Sequence, residues 1–501
     1  MNALDSLRSQ LRSTATLASA ASLLGWDEQT YMPPAGGPFR AEQQGMLAGM
    51  IHGRQTDPRV GAWLAELEGS GLDPDSAEAA LVREVRRDFD LATKLPQRLV
   101  EELSEVTSLA QQAWVAARKA NDFAAFEPHL TKIVALKREE AAALSEGRSL
   151  ADPYDALLDQ YEAHATTAEV AEVFENLRPP LVTLVADIAD RGRANDAGVL
   201  TRSYPVDVQR TLGEAAAAAI GFDFDAGRLD VTAHPFCTDI GPGDVRLTTR
   251  YDERFFPMAF FGTLHEAGHG LYEQGLPHDA FGTPLGQAAS LGVHESQSRM
   301  WENLVGRSRA FWGHWFPQAQ AAFPGALGDV DEDAFYRTIN RVEPSFIRVE
   351  ADEVTYNLHV MLRFDLERKL IGGDLAVADL PAAWDETFRD YFGITPPDVS
   401  QGCLQDVHWS AGLIGYFPTY ALGNIYASQL FEAAKTEIGD LERGFAEGDY
   451  RPLLDWLREN VHTHGRRFAP AELVERVTGR PLESDSLLNH LHTKYSGVYG
   501  I

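Results

Sequence analysis

Apolar residues recur at three- and four-residue spacing along most of the chain, as in Leu177, Leu181, Leu184, Val185 and Ile188. That is the period of an amphipathic helix, and the fold class it predicts is mainly α. Strand-like alternation is confined to one region. Leu229, Val231 and Ala233, a Gly-Pro-Gly turn at Gly241 to Gly243, and then Val245, Leu247 and Thr249 predict a small antiparallel β-sheet. At the N-terminus Arg8 and Arg12 precede a small-residue run, Thr14 to Leu24, that mimics a signal peptide. The run is weakly hydrophobic, and Leu4, Leu7 and Leu11 with Asp5 and Ser6 read better as a capped amphipathic helix. The insert Met32-Pro33-Pro34-Ala35-Gly36-Gly37 ends this first region, and Ala41 to Leu150 is expected to form a helical, hairpin-like lobe. Neither a Ser- or Pro-rich linker nor a fixed-period repeat divides the sequence. The expectation is one domain over residues 1–501, with helical subdomains flanking a deep groove.

Composition narrows the class of function. In 501 residues the hydrophobic fraction is 44% and the aromatic fraction 10%, enough for a large core, and no apolar run is long enough for a membrane span. Lys and Arg total 44 against 74 Asp and Glu, a net charge of −30. Such a surface repels phosphate backbones and anionic lipid, which argues against nucleic-acid and membrane partners. The two cysteines, Cys237 and Cys403, make no disulfide framework, and their expected role is small apolar packing in a reducing, cytoplasmic setting.

Chemistry concentrates at Phe261 to Gly270, which contains HExxH. On a helix, residues four apart share a face, so His265 and His269 reach one cation while Glu266 sits beside its water. Pro257 suits a first helical turn, and Phe261, Leu264, Gly268 and Tyr272 continue the helical stripe. Imidazole suits zinc, and a catalytic zinc keeps three protein ligands and one open position. Glu295, in His294-Glu295-Ser296-Gln297, is the expected third ligand, on a second helix returning after the Gly-rich stretch from Gly270 to Gly292. In this reading Glu266 is a general base and not a ligand: it takes a proton from the metal-bound water and delivers it to the leaving amine.

Further segments carry groups able to act on a peptide. His234-Pro235-Phe236 ends the first strand, with His234 held extended by the proline, and Asp244 to Thr248 forms the second. From Ile347 onward, Arg348, Asp352, Tyr356 and His359 fall on one face of an expected helix, opposite Ala351, Val354 and Leu358. Gly402 to Trp409 and Gly415 to Tyr420 follow.

These segments together resemble the carboxypeptidase Taq family of zinc metallocarboxypeptidases. The resemblance rests on HPF (His234 to Phe236), DxRxT (Asp244 to Thr248), HExxH (His265 to His269), HESQ (His294 to Gln297), IRxxAD (Ile347 to Asp352) and GxxQDxHW (Gly402 to Trp409). Trp26 to Pro33 is similar to the family's N-terminal region, so the likeness spans essentially the whole chain. It implies a helical, zincin-like, groove-containing fold, one zinc replaceable by cobalt, a homodimer, and broad-specificity release of single C-terminal residues from peptides.

Removing a C-terminal residue requires a cation for the substrate's carboxylate, and guanidinium suits it through paired hydrogen bonds. Arg348 is the first choice, against a structural pairing with Asp352 or Glu350; Arg246 is the alternative clamp. Donors for the oxyanion are Tyr420 and His234, with His408 and Tyr416 behind them. Gln405 and Asp406 read as positioning groups, and Asp352 as a residue that orients a ligand histidine or Arg348. His359 shares the expected substrate-facing side. Two other readings stay open: a dipeptidyl carboxypeptidase or oligopeptidase with the same metal chemistry, and a non-catalytic metal-binding scaffold.

Overall fold

Short turns join long helices throughout a computed structural model that describes residues 2–191 and 197–501. Residues 2–93, 197–339 and 426–481 gather into one compact unit, and 94–191, 340–425 and 482–501 into another.

In the first unit, α1 (Ala3–Thr30) opens with Asn2, whose side chain accepts from the Asp5 amide, so the chain starts as a capped helix. The end of α1 is pinned to a small sheet made of β1 (Gly227–Val231), β2 (Cys237–Gly241) and β3 (Asp244–Thr249). The Trp26 ring lies under the guanidiniums of Arg228 and Arg246, 5.1 and 4.2 Å from its centroid, and the Tyr31 hydroxyl donates to Asp230. β2, a strand the alternation did not disclose, forms an antiparallel hairpin with β3 across the Gly-Pro-Gly turn. β1 differs from the expectation, because it pairs parallel to the far edge of β3 and gives the order β1-β3-β2. The segment from Thr232 to Phe236 crosses over before the hairpin begins, which returns β3 in the direction of β1.

The central strand β3 buries Val245, Leu247, Thr248 and Thr249 beneath α2 (Phe256–Gly275). Pro257 occupies the first turn of α2, as its fixed φ allows. Phe256, Phe260 and Phe261 of α2 enter an aromatic core with Phe311, Trp312, Phe323 and Phe335. Each such ring contributes about 1.5–3 kcal/mol of burial, which holds the opposite, polar face of α2 in a fixed position. Next comes α3 (Leu291–Arg299), opened by Ser290, whose hydroxyl accepts from the Val293 amide, and continued by a π-helical stretch over Met300–Val305.

The second unit contains a helical hairpin, Gln97–Ala120 and Phe123–Ser145, turned by Asn121 in the left-handed region (φ 55°) and capped by Asp122. The expected lobe from Ala41 to Leu150 is therefore divided. Its first part packs in the first unit, and the break falls next to Pro96, which cannot continue a helix. At this unit's centre α4 (Thr355–Gly372) is buried nearly all round and ends on Gly373 in the left-handed region (φ 94°). It starts later than the sequence suggests. Asp352 accepts from the Val354 and Thr355 amides and the Thr355 hydroxyl, so it caps α4, and Arg348 lies in a separate turn at Arg348–Glu350. The last helix, α5 (Asp485–Tyr499), is tied to Glu353 by His490, Lys494 and Tyr495.

Candidate metal centre

Successive turns of α2 present His265 and His269 on one side, and α3 brings Glu295 to them. Glu295 Oε2 lies 3.7 Å from His265 Nε2 and 3.4 Å from His269 Nε2. One donor atom from each of the three falls within 4.8 Å of the others, the one such group of His, Cys, Asp and Glu side chains among the described residues. The approach of the two helices depends on Gly268. A Cβ there would stand 2.6 Å from both the Gln297 carbonyl oxygen and the Ser298 Cα, backbone atoms that cannot rotate away.

Each of the three side chains is held from behind. His265 Nδ1 lies 2.9 Å from Glu302 Oε2, and Glu302 is held in turn by Arg299 and Arg307 at 3.3 and 3.5 Å. Arg299 Nε also donates to Glu295 Oε1 at 2.7 Å, which leaves Oε2 turned to the histidines. His269 Nδ1 lies 2.5 Å from His294 Nδ1, and His294 Nε2 lies 2.7 Å from Glu273 Oε1. With Nε2 of His269 given to a cation, its Nδ1 carries the hydrogen. His294 then accepts at Nδ1 and donates from Nε2 to Glu273. Gln297, next along α3, is fixed by His462 at 2.9 Å.

The electrostatics suit a cation. Burial, helped by neighbouring His294, pulls the His269 imidazole down to about 3 and keeps it neutral, the form that binds metal. Burial alone would raise the Glu295 carboxyl, but Arg299 and His265 hold it well below the usual carboxylate range. Glu266 lies beside the group, is 6% exposed, and burial pushes its carboxyl up to about 7. Two imidazole nitrogens and one ionised carboxylate oxygen, each oriented from outside, form a donor set that fits a divalent cation with a position left open.

The other expected site residues have varied surroundings. His234 is exposed on the crossover between β1 and β2. Arg246 is engaged in a two-pronged pair with Asp244 at 2.8 and 2.7 Å and stacks on Trp26. In the second unit Arg348 is 5% exposed and pairs with neither Asp352 nor Glu350. Its Nε and Nη2 donate to Asp406 Oδ1 at 3.1 and 2.9 Å, and its Nη1 donates to the Tyr356 hydroxyl at 3.0 Å. Gln405 accepts from the Arg348 amide and donates to the Phe346, Gln401 and Gly402 carbonyls. His408 Nε2 lies 3.3 Å from the Tyr420 hydroxyl, and Tyr416 packs against both rings. Asp352, expected to orient Arg348 or a ligand histidine, instead spends both oxygens on the start of α4 and on the Glu343 amide. His359, expected on the substrate-facing side, is fully buried against Phe388 and Phe392. Burial keeps the Cys237 and Cys403 thiols well above their ordinary range, so neither is a reactive thiolate.

Glu302, Glu273, Arg299 and Arg363 escape a reading of the motifs alone, although spacing marks three of them. His265, His269 and Glu273 step by four along α2, and Glu295, Arg299 and Glu302 step by four and three along the next helix.

A helical fold that sets HExxH against a carboxylate from a second helix defines a metallopeptidase centre. The chain belongs to the carboxypeptidase Taq (M32) metallopeptidase family, whose model matches residues 6–495, and it is a metallocarboxypeptidase. It is 50% identical over 497 residues to thermostable carboxypeptidase 1 of Thermus thermophilus, covering 98% of this chain and 97% of that protein. It is 37% identical over 489 residues to carboxypeptidase 1 of Bacillus subtilis, covering 98% and 97%. Among solved structures it is similar to the M32 carboxypeptidase of Deinococcus radiodurans R1, with TM-score 0.96, 42% identity and all of both chains covered.

Proposed function

We propose that the enzyme holds one zinc ion with His265, His269 and Glu295 and releases single amino acids from peptide C-termini with broad specificity. The observation that carries this reading is the gathering of three donor atoms within 4.8 Å beside the buried carboxyl of Glu266. Mixed imidazole and carboxylate donors suit zinc, and cobalt is an expected substitute. When bound, the cation polarises a peptide carbonyl and lowers the pKa of water. Glu266 receives a proton from the attacking water on its carboxylate and returns it to the nitrogen of the departing amino acid.

Arg348 is the proposed anchor for the substrate's terminal carboxylate, with Gln405 fixing its main chain and Arg246 as the alternative. Tyr420 and His234 are the proposed donors to the oxyanion, with His408 and Tyr416 supporting Tyr420. No helix among the described residues is long and apolar enough to cross a membrane, and the acidic surface and the two unpaired cysteines favour a cytoplasmic enzyme. A homodimer follows from the family resemblance, and sedimentation of the purified chain tests it.

The deciding experiment incubates zinc-reconstituted protein with mixed peptides and follows the products by mass spectrometry. A ladder losing one residue at a time from the C-terminus is expected. Loss of residue pairs or internal fragments would replace this reading with a dipeptidyl carboxypeptidase or an oligopeptidase.

A further inference from the structure

Arg348 faces an electrostatic difficulty that its immediate contacts do not resolve. Its guanidinium donates twice to Asp406 Oδ1, and a carboxylate so placed cancels the charge that a substrate carboxylate would seek. A neutral pair in a chain of net charge −30 is a poor anion site.

The other oxygen of Asp406 is occupied. Arg363 Nε, on α4, donates to Asp406 Oδ2 at 2.6 Å, and its Nη2 stands 2.5 Å from the same atom. Arg363 Nη1 donates to the His359 carbonyl, and the guanidinium stacks over the Trp384 and Phe417 rings at 4.7 and 5.3 Å. With 0% exposure it touches no solvent and no substrate. Burial, reinforced by Arg363 and Arg348, drives the His359 imidazole well down, and burial takes His408 to about 4, so neither histidine adds charge. Two guanidiniums and one carboxylate thus leave a single net positive charge, and Arg348, at 5% exposure, is the less buried of the two cations.

We propose that Arg363 is a positioning residue that neutralises Asp406 from the buried side, so that Asp406 can orient Arg348 without cancelling its attraction for the substrate carboxylate. The proposal rests on Arg348 as the carboxylate anchor. It gives the wholly buried cation a role other than stability, for which a buried ionic cluster is weak evidence. It also separates two jobs, with geometry coming from Asp406 and charge from the pair of arginines.

Charge restoration tests it. Arg363→Met leaves Arg348 and Asp406 as a neutral pair, and KM for N-acylated peptides with a free C-terminal carboxylate is expected to rise about tenfold or more, with kcat changed much less. Arg363→Met combined with Asp406→Asn returns the net charge to one positive. The asparagine still offers Oδ1 to Arg348, and KM is expected to fall back to within about threefold of the wild-type value. A merely structural role for Arg363 predicts the opposite, a double variant no better than the single one. An unchanged KM in a folded Arg363→Met enzyme, or a double variant as impaired as the single, overturns the proposal. If Arg363→Met does not fold by circular dichroism, the double variant and Arg363→Lys decide: KM near wild type in both supports the proposal, and a raised KM in the double variant overturns it. Arg348→Met is assayed in parallel on free-acid and C-terminally amidated peptides. If it keeps the wild-type preference for the free acid, the anchor reading itself fails, independently of Arg363.

Discussion

Glu302 Oε2 lies 2.9 Å from Nδ1 of His265, and Arg299 and Arg307 hold the same carboxyl in place. An outer carboxylate of this kind fixes the ring's tautomer and raises the basicity of the nitrogen that faces the cation. Glu302→Ala is expected to weaken metal affinity about 10- to 100-fold, with helical circular dichroism retained. Competition against a chelator of known affinity measures it, and a wild-type value would remove Glu302 from the centre.

Gly268 lets α2 and α3 touch through their backbones. Gly268→Ala places a methyl against atoms that can move only if a helix moves, which costs about 1–3 kcal/mol. The helices should part enough to draw Glu295 away from the histidines. The expected outcome is a lower melting temperature together with substoichiometric metal by elemental analysis; a fully loaded variant would show that the contact tolerates the extra carbon.

Glu266 acts on protons and not on the cation in this reading. Glu266→Gln keeps the side chain's size and removes its basicity, so full metal content with turnover reduced about 10²–10⁴-fold is expected. Substantial turnover in a metal-loaded variant would reassign the base.

Glu353 carries a pH dependence of stability. Its side chain is 5% exposed and accepts from His490 Nε2, Lys494 Nζ and the Tyr495 hydroxyl at 2.7, 2.6 and 2.9 Å. Burial would raise its carboxyl, but Lys494 and His490 overcome that and hold it well below the usual glutamate range. A group depressed in the folded state stabilises fully above its unfolded pKa, near 4.3, and that contribution fades as pH falls toward the folded value. Glu353→Gln breaks a buried ion pair and should cost about 3–5 kcal/mol at pH 7, with the gap to wild type narrowing below about pH 4. Urea melts at both pH values read the gap; a constant difference would deny the titration.

What the sequence discloses here follows from how local each relationship is. HExxH is legible because a helix converts a four-residue step into a shared direction, so His265 and His269 need no tertiary knowledge. Glu295 needs only the return of one neighbouring helix. Glu302 and Glu273 lie in phase with those residues, yet their roles depend on which helices touch. Arg363 is less legible still, since its partner Asp406 lies 43 residues away and a buried arginine resembles a surface one in sequence. The late start of α4 comes from the capping chemistry of Asp352, whose side chain competes with helix continuation. The parallel pairing of β1 is a matter of connection and not of alternation, and periodicity carries no strand direction.

Each compact unit is assembled from three separated stretches of chain, and this bears on biosynthesis. The last stretch of the first unit, residues 426–481, leaves the ribosome long after HExxH has been made, and His462 is synthesised 165 residues after its partner Gln297. At about 5–20 residues per second, nascent helices wait many seconds with unsealed apolar faces. Holding chaperones therefore have a long window in which to act, and a chain halted before its final stretch carries the two histidines of HExxH in an unfinished unit.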